Sequence, residues 1–184
     1  MLAQLPDLHV DVEYLPASLH NRPENIPARV RDAIDASADN YTSVSLGYAD
    51  CGTGGLLDSI IAETGIARLP GAHCYEFFTG ATDFAAMHSA EPGTFFLTDF
   101  LVRQFDQLVI VGLGLDKHPE LRNEYFGNYT RVMLISQSDD PVLVAMGQKA
   151  AEALGLRFEH RHVGMGPFAD AMVTITGPSA KKEA

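Results

Sequence analysis

Strand-like and helix-like segments alternate along this chain, and this alternation limits its possible folds more than any other feature. Continuous apolar runs at residues 108–113 and 130–136 predict buried strands, and helical spacing follows each run. Parallel strands need helical crossovers, which cover the faces of the sheet. The pattern therefore predicts an α/β layered domain with a mostly parallel central sheet flanked by helices.

The other segments fit the same scheme. Further strands are predicted at residues 8–15, 41–48 and 156–163, and residues 94–98 fit either a strand or a helix. Helices are predicted to begin near Pro27, after the glycine-rich turn at 52–55, near Thr82, at Pro119 and at Pro141. We expect one domain over residues 1–178 and a disordered tail over 179–184.

Composition excludes several classes of function. A chain of 184 residues can build a full core without metal or disulfide staples. Its 13 basic and 24 acidic residues give a net charge of −11, which argues against general affinity for nucleic acid. It has no apolar stretch of roughly 20 residues that would span a membrane, and its first residues lack a secretion signal. We therefore expect a cytoplasmic protein with reduced thiols.

The two cysteines lie in segments that resemble sites. Cys51 follows a predicted strand and precedes the turn Gly52-Thr53-Gly54, while Cys74 lies in a second glycine-containing segment. A helix N-terminus favours thiolate over thiol, and the amides of the turn could also hold an anion or a cofactor. The alternative for Cys51 is a buried structural cysteine in a tight turn.

The residues around Cys74 suggest a metal site. His73, Cys74 and Glu76 place three possible ligands within four residues, and Cys51 would add a second sulfur. No fourth ligand is evident, which favours an open zinc site over a closed structural one. His73 and Cys74 point to opposite faces if the backbone is extended, so only one of them is expected to reach the same ion as Cys51.

Three further polar residues are candidates for the site. His118 lies at a predicted junction between a strand and a helix, where it could act in catalysis or support a ligand. His20 could act as an acid, a base or a ligand, and Arg22 could bind a carboxylate or phosphate of a cofactor. The alternative for His20 and Arg22 is a polar loop closed by Pro23.

Five motifs in order give the chain a family resemblance. They lie at residues 15–24, 50–55, 73–76, 93–99 and 114–119. Together they resemble an uncharacterised bacterial and archaeal family known only as a domain of unknown function. Genes of that family are often met beside corrinoid-dependent methyltransferases, including the trimethylamine-methyltransferase-like group. The resemblance implies a role in one-carbon metabolism.

The chain departs from the family pattern at its start. Family members begin with a further strand that ends in a Cys-Gly-Ala-Leu-type turn, whereas this chain opens with residues 1–5 where that segment would finish. The resemblance therefore implies a third cysteine that is missing here, either through a misplaced start or through loss of a ligand.

These observations lead to one functional expectation and two alternatives. We expect a metal-thiolate protein, with zinc bound by Cys51 and by His73 or Cys74, that acts in corrinoid- or folate-linked methyl transfer. Zinc would activate a small-molecule thiol toward a methyl donor, with Cys51, Glu76 or His118 serving catalysis. The first alternative is a non-enzymatic partner or carrier that docks on a methyltransferase or corrinoid protein. The second is a thiol enzyme without metal.

Overall fold

The computed structural model describes residues 11–176. Its helices are α1 (Ile26–Ser37), α2 (Leu56–Thr64), α3 (Cys74–Thr79), α4 (Ala81–Ala90), α5 (Asp99–Arg103), α6 (Leu121–Phe126), α7 (Pro141–Leu154) and α8 (Gly166–Thr176). Its strands are β1 (Ser45–Leu46), β2 (Ala67–Arg68), β3 (Thr94–Thr98), β4 (Arg131–Ser136) and β5 (Arg157–His162). Two 3-10 turns, Ala17–Asn21 and Pro23–Asn25, precede α1.

The strands form two parallel sheets flanked by helices, which confirms the predicted α/β layered class. β1 pairs with β2 in a two-stranded sheet. β3, β4 and β5 form a three-stranded sheet with β4 in the centre. None of the helices within residues 11–176 has the length and apolar character needed to cross a membrane.

Strand β4 is buried along its whole length because helices cover both of its faces. Val132 and Leu134 point to one face, where they pack with residues of α5 and α7. Met133 and Ile135 point to the other face and pack with Met87 of α4. Successive strand residues alternate between faces, so a continuous apolar sequence suits a strand in this position.

Helix α7 begins at Pro141, as predicted. The Asp140 side chain accepts a hydrogen bond of 2.9 Å from the Val142 amide, and Pro141 occupies the first helical position. Gly155 ends the helix in the left-handed conformation, with φ of 70°. These local signals fix where the helix starts and stops, and they explain why it was predictable from sequence.

A buried arginine ties the amino end of β4 to its neighbours. The Arg131 guanidinium donates 2.7 Å to the Thr94 hydroxyl and 2.5 Å to the Glu159 carboxylate, and lies 3.4 Å from the Glu91 carboxylate. The residue is only 7% exposed. A buried guanidinium requires such partners, so this network stabilises the register of the sheet.

Three predicted strands differ from the structure. Residues 108–113 were expected in a strand but contribute to a π-helical segment, Asp106–Val111, since a short apolar run suits a buried helix equally well. Only Ser45–Leu46 forms a strand within 41–48, because its partner β2 is equally short. Residues 11–15 of the first predicted strand have no regular structure, and its residues 8–10 lie outside the described residues, as does the predicted tail.

Two small apolar clusters surround the β1–β2 sheet. One joins α1 and α2 through Ile26, Val30 and Leu57. The other joins α3 and α8 through Phe77 and Met172. The loop after β1 lies between the clusters.

Candidate functional site

The two cysteine segments are held side by side by backbone hydrogen bonds. Beyond the β1–β2 pair, the Asp50 amide donates 3.2 Å to the Gly71 carbonyl, and the Cys51 amide donates 3.0 Å to the Ala72 carbonyl. These bonds extend the pairing of the two chain segments past the strand ends. They bring Cys51 next to the residues that lead into Cys74.

Cys51 has an unusual backbone conformation. Its φ is 51°, and it is the one non-glycine residue with positive φ among residues 11–176. Side chains other than glycine, asparagine and aspartate rarely adopt this left-handed region, and such residues cluster at functional sites. The next residue, Gly52, also has positive φ, so the chain reverses sharply at the cysteine.

The Asp50 side chain fills the turn that the sequence suggested for an anion or cofactor. Its carboxylate accepts hydrogen bonds from the Thr53 hydroxyl at 2.5 Å, from the Gly54 amide at 3.1 Å and from the Gly55 amide at 2.9 Å. The Thr53 hydrogen bond, followed by the two amides, lowers the pKa of Asp50. A bound anion would compete with this carboxylate for the Thr53 and Gly54 donors.

Both cysteines line one cavity of about 820 Å³, which we call the thiol cavity. Each residue is half-buried, and both pack against the cluster that joins α3 and α8. The other walls of the thiol cavity are mostly apolar and aromatic. They include His20, Tyr48, Phe77, Phe100, Phe168 and Met172. This volume falls within the roughly 300–1,000 Å³ of small-molecule sites.

Burial sets the protonation of the two thiols. It raises the pKa of Cys51, although the Cys74 backbone amide offers the Cys51 sulfur a hydrogen bond that acts in the other direction. Burial, followed by the nearby Cys51, raises the pKa of Cys74 to about 12. The prediction of a thiolate at the helix end is therefore wrong, because desolvation raises the thiol pKa more than the amides of the helix terminus lower it.

The structure places His20 on the wall of the thiol cavity and Arg22 away from it. The His20 ring lies 5.3 Å from the Phe100 ring, and burial lowers the pKa of this histidine. Arg22 is exposed and lies 3.9 Å from Glu24, so it forms only a surface ion pair. The side-chain amide of the neighbouring Asn21 donates a 2.8 Å hydrogen bond to the Leu108 carbonyl. This bond anchors the loop on the π-helical segment.

The predicted metal ligands are not gathered around one point. His73 lines a second cavity, while Cys74 lines the thiol cavity, as expected for adjacent residues. The Glu76 carboxylate accepts 3.2 Å from the Ala72 amide. Within residues 11–176, no group of three or more histidine, cysteine, aspartate or glutamate side chains could hold a metal ion. Catalytic zinc takes three protein ligands, so the two cysteines alone do not fit it.

His118 belongs to a different part of the surface. It is exposed, and its Nδ1 lies 3.2 Å from the Glu120 carboxylate. The loop that carries it follows the π-helical segment rather than a strand. The prediction that His118 lies at a junction between a strand and a helix is therefore wrong.

One wall of the thiol cavity was not predicted from the sequence. Phe168 and Met172 of α8 contribute to it, and this helix was not predicted. Their spacing of four residues, continued by Ile175 on the same helical face, was the signal in the sequence.

A family model described as Protein of unknown function (DUF1638) matches residues 14–172. The matched range spans both cysteine segments and most of α8. No curated protein and no solved structure gives a significant match to the chain.

Proposed function

The chain belongs to the family described as Protein of unknown function (DUF1638), and on this premise we propose that it binds a small-molecule methyl donor or thiol in the thiol cavity. The proposed setting is corrinoid- or folate-linked one-carbon metabolism, as the resemblance of the five motifs implies. A corrinoid would be supplied by a partner protein.

One observation carries the proposal: two cysteines from separate chain segments face the same cavity. A second supports it, because Cys51 keeps a backbone conformation that is unfavourable for its side chain. A cysteine that served only to fill core volume would gain nothing from this conformation. The aromatic walls suit the apolar part of a ligand, and the two sulfur atoms would contact its reactive part.

Zinc is the least supported part of the original expectation. The thiol cavity offers two of the three predicted protein ligands, because His73 faces elsewhere. We therefore derive no step through zinc. The metal-free thiol enzyme is also less favoured, since burial keeps both thiols protonated at neutral pH.

Binding of 5-methyltetrahydrofolate, a methyl donor, and of homocysteine, a thiol, to the full chain, measured by titration calorimetry, tests the proposal. We expect saturable binding of one of them, at least about tenfold weaker in Cys51→Ala and in Cys74→Ala. Val142→Ala is the matched control because that side chain is 58% exposed on α7. Absence of saturable binding for both compounds contradicts the proposal, as does equal weakening in the control.

A specific observation favours docking to a partner as a second candidate function. Val12, Tyr14 and Tyr41 all line the thiol cavity and are 42%, 86% and 48% exposed. Exposed apolar and aromatic side chains around a cavity mark surfaces where proteins bind. A methyltransferase or corrinoid protein docked there would cover the cavity.

Co-purification separates the two candidates. If docking is the function, Tyr14→Ser releases the partner methyltransferase or corrinoid protein while Cys51→Ala retains it. If ligand binding is the function, Cys51→Ala loses the ligand and Tyr14→Ser keeps it.

A further inference from the structure

A second cavity of about 570 Å³ lies on the other side of the first turn of α3. His73 and Tyr75 line it, whereas Cys74 between them lines the thiol cavity. The two cavities are therefore separate sites that share a wall. We call the second one the aromatic cleft, and its lining includes His73, Tyr75, Phe84, His88, Phe96, Tyr125 and Tyr129.

One side of the aromatic cleft is a continuous wall of rings from α3 and α4. Phe84 stacks on Tyr75 at 5.5 Å between centroids, with 25° between the ring planes. It also stacks on His88 at 6.2 Å and 18°. The Tyr75 hydroxyl donates 3.1 Å to the Phe96 carbonyl, which fixes the ring. The wall is thus held in place before any ligand arrives.

Tyr125, in the last turn of α6, and Tyr129, three residues after that helix ends, also line the aromatic cleft. Tyr129 is supported from behind by Phe95 at 5.9 Å and by Phe126 at 5.6 Å. Tyr125 is 47% exposed, so the cleft opens to solvent at this residue. Several rings around one cleft suit a flat ligand, because offset stacking on them is favourable.

The side chains that line the aromatic cleft also favour one charge state of the ligand. No lysine, arginine, aspartate or glutamate lines the aromatic cleft. A charged ligand would find no side chain of opposite charge in this lining, so the cleft favours an uncharged one. The exposed Asn128 side chain also lines the aromatic cleft and offers hydrogen-bonding groups to a ligand.

From this arrangement we propose that the aromatic cleft is a second ligand site that takes an uncharged, planar aromatic or heteroaromatic ring. The site is independent of the proposed function of the thiol cavity. Binding there stacks the ring on the aromatic side chains that line the cleft.

The test uses the full chain and three probes: caffeine as a planar uncharged ring, cyclohexanecarboxamide as a saturated uncharged ring, and tetramethylammonium as a cation. Titrations are followed by ligand-observed NMR. We expect saturable binding of caffeine and much weaker binding of the other two probes. Binding of tetramethylammonium or cyclohexanecarboxamide as tight as that of caffeine overturns the proposed ligand class, and absence of saturable caffeine binding overturns the site.

Variants locate the binding. Phe84→Leu and Tyr129→Leu should each weaken caffeine binding roughly three- to tenfold, the size of one lost stacking contact. Tyr125→Ala changes an exposed side chain, so it keeps the test open if the variants of the half-buried Phe84 and Tyr129 fail to fold. It should also weaken binding. Retention of full affinity in all folded variants of the cleft contradicts the proposal.

Two controls complete the design. Tyr14→Leu changes an exposed tyrosine outside the aromatic cleft and should leave caffeine binding unchanged. Cys51→Ala should also leave it unchanged. Loss of caffeine binding in Cys51→Ala would assign the ring to the thiol cavity and overturn the proposal.

Discussion

The backbone amide of Cys51 donates a 3.0 Å hydrogen bond to the carbonyl oxygen of Ala72, two residues before Cys74. Because this bond joins segments that are 21 positions apart, neither cysteine segment can form the site alone. The thiol cavity therefore depends on the pairing that begins at β1 and β2. The turn after Cys51 is held separately, by hydrogen bonds to the Asp50 carboxylate.

Replacing Asp50 tests how that turn is held. In Asp50→Asn the Thr53 hydroxyl and the Gly54 and Gly55 amides lose a charged acceptor. We expect the free energy of unfolding to fall by about 1–2 kcal/mol, since hydrogen bonds to charged groups are stronger than neutral ones. Urea denaturation measures the change. Asp35→Asn, on the exposed side of α1, is the control and should change stability by less than about 0.5 kcal/mol.

The same carboxylate predicts a pH dependence. Hydrogen bonds, first from Thr53, hold the pKa of Asp50 below its usual range in the folded protein. The unfolded chain therefore binds this proton more readily, so the contribution is complete above the unfolded pKa of about 3.9 and is lost as pH falls through the folded pKa. Unfolding free energy measured between about pH 6 and pH 2 should fall less steeply in Asp50→Asn than in the wild type. Identical slopes would show that the turn does not favour the ionised form.

Arg131 should matter far more than a surface arginine. Arg131→Met removes the donor to the Thr94 hydroxyl and one of the two guanidinium partners of Glu159 and Glu91, which both keep Arg157. We expect a loss of about 2 kcal/mol, because the buried guanidinium makes charged hydrogen bonds that methionine cannot replace. Thermal and chemical unfolding measure it.

Arg161→Met is the matched control for Arg131→Met, since Arg161 pairs with Asp83 at the surface. It should cost less than about 1 kcal/mol. Comparable losses in the two variants would mean that the buried network adds nothing beyond a surface pair.

Gly112 is expected to be irreplaceable at the end of the π-helical segment. An added Cβ would collide with the Leu108 carbonyl and with the Asn21 amide that donates to it. Gly112→Ala should lower the unfolding free energy by about 1–3 kcal/mol. In Gly166→Ala the new methyl group meets open space, so stability should hardly change. Equal stability of the two variants would contradict the close packing of Asn21 against this segment.

The predictable parts of the fold are those whose ends are marked by residues close to them in the sequence. Asp140, Pro141 and Gly155 mark the ends of α7 within a few residues. The π-helical segment was not predictable, because its apolar run fits a buried strand as well as a helix and only the packing around Phe105 and Leu108 decides.

The candidate site was also predictable only in part. The sequence identified Cys51 and Cys74 as residues of interest and indicated that His73 would face away from Cys74. It could not show how deeply the thiols are buried, since α8 supplies part of the cover from about 100 positions further along the chain. The direction of the thiol pKa depends on that tertiary burial, so the local helix-end argument gave the wrong sign.

Capture of phenylarsine oxide by the full chain tests the central claim, that Cys51 and Cys74 face one accessible cavity. A trivalent arsenical bridges two thiols only if their sulfur atoms approach each other, and the two protons leave with the arsenic oxygen as water. Mass spectrometry should find one arsenical per chain with both thiols blocked, and no stable adduct in Cys51→Ser or Cys74→Ser. Failure of the wild type to form the adduct, or an unchanged adduct in either single variant, would contradict the account.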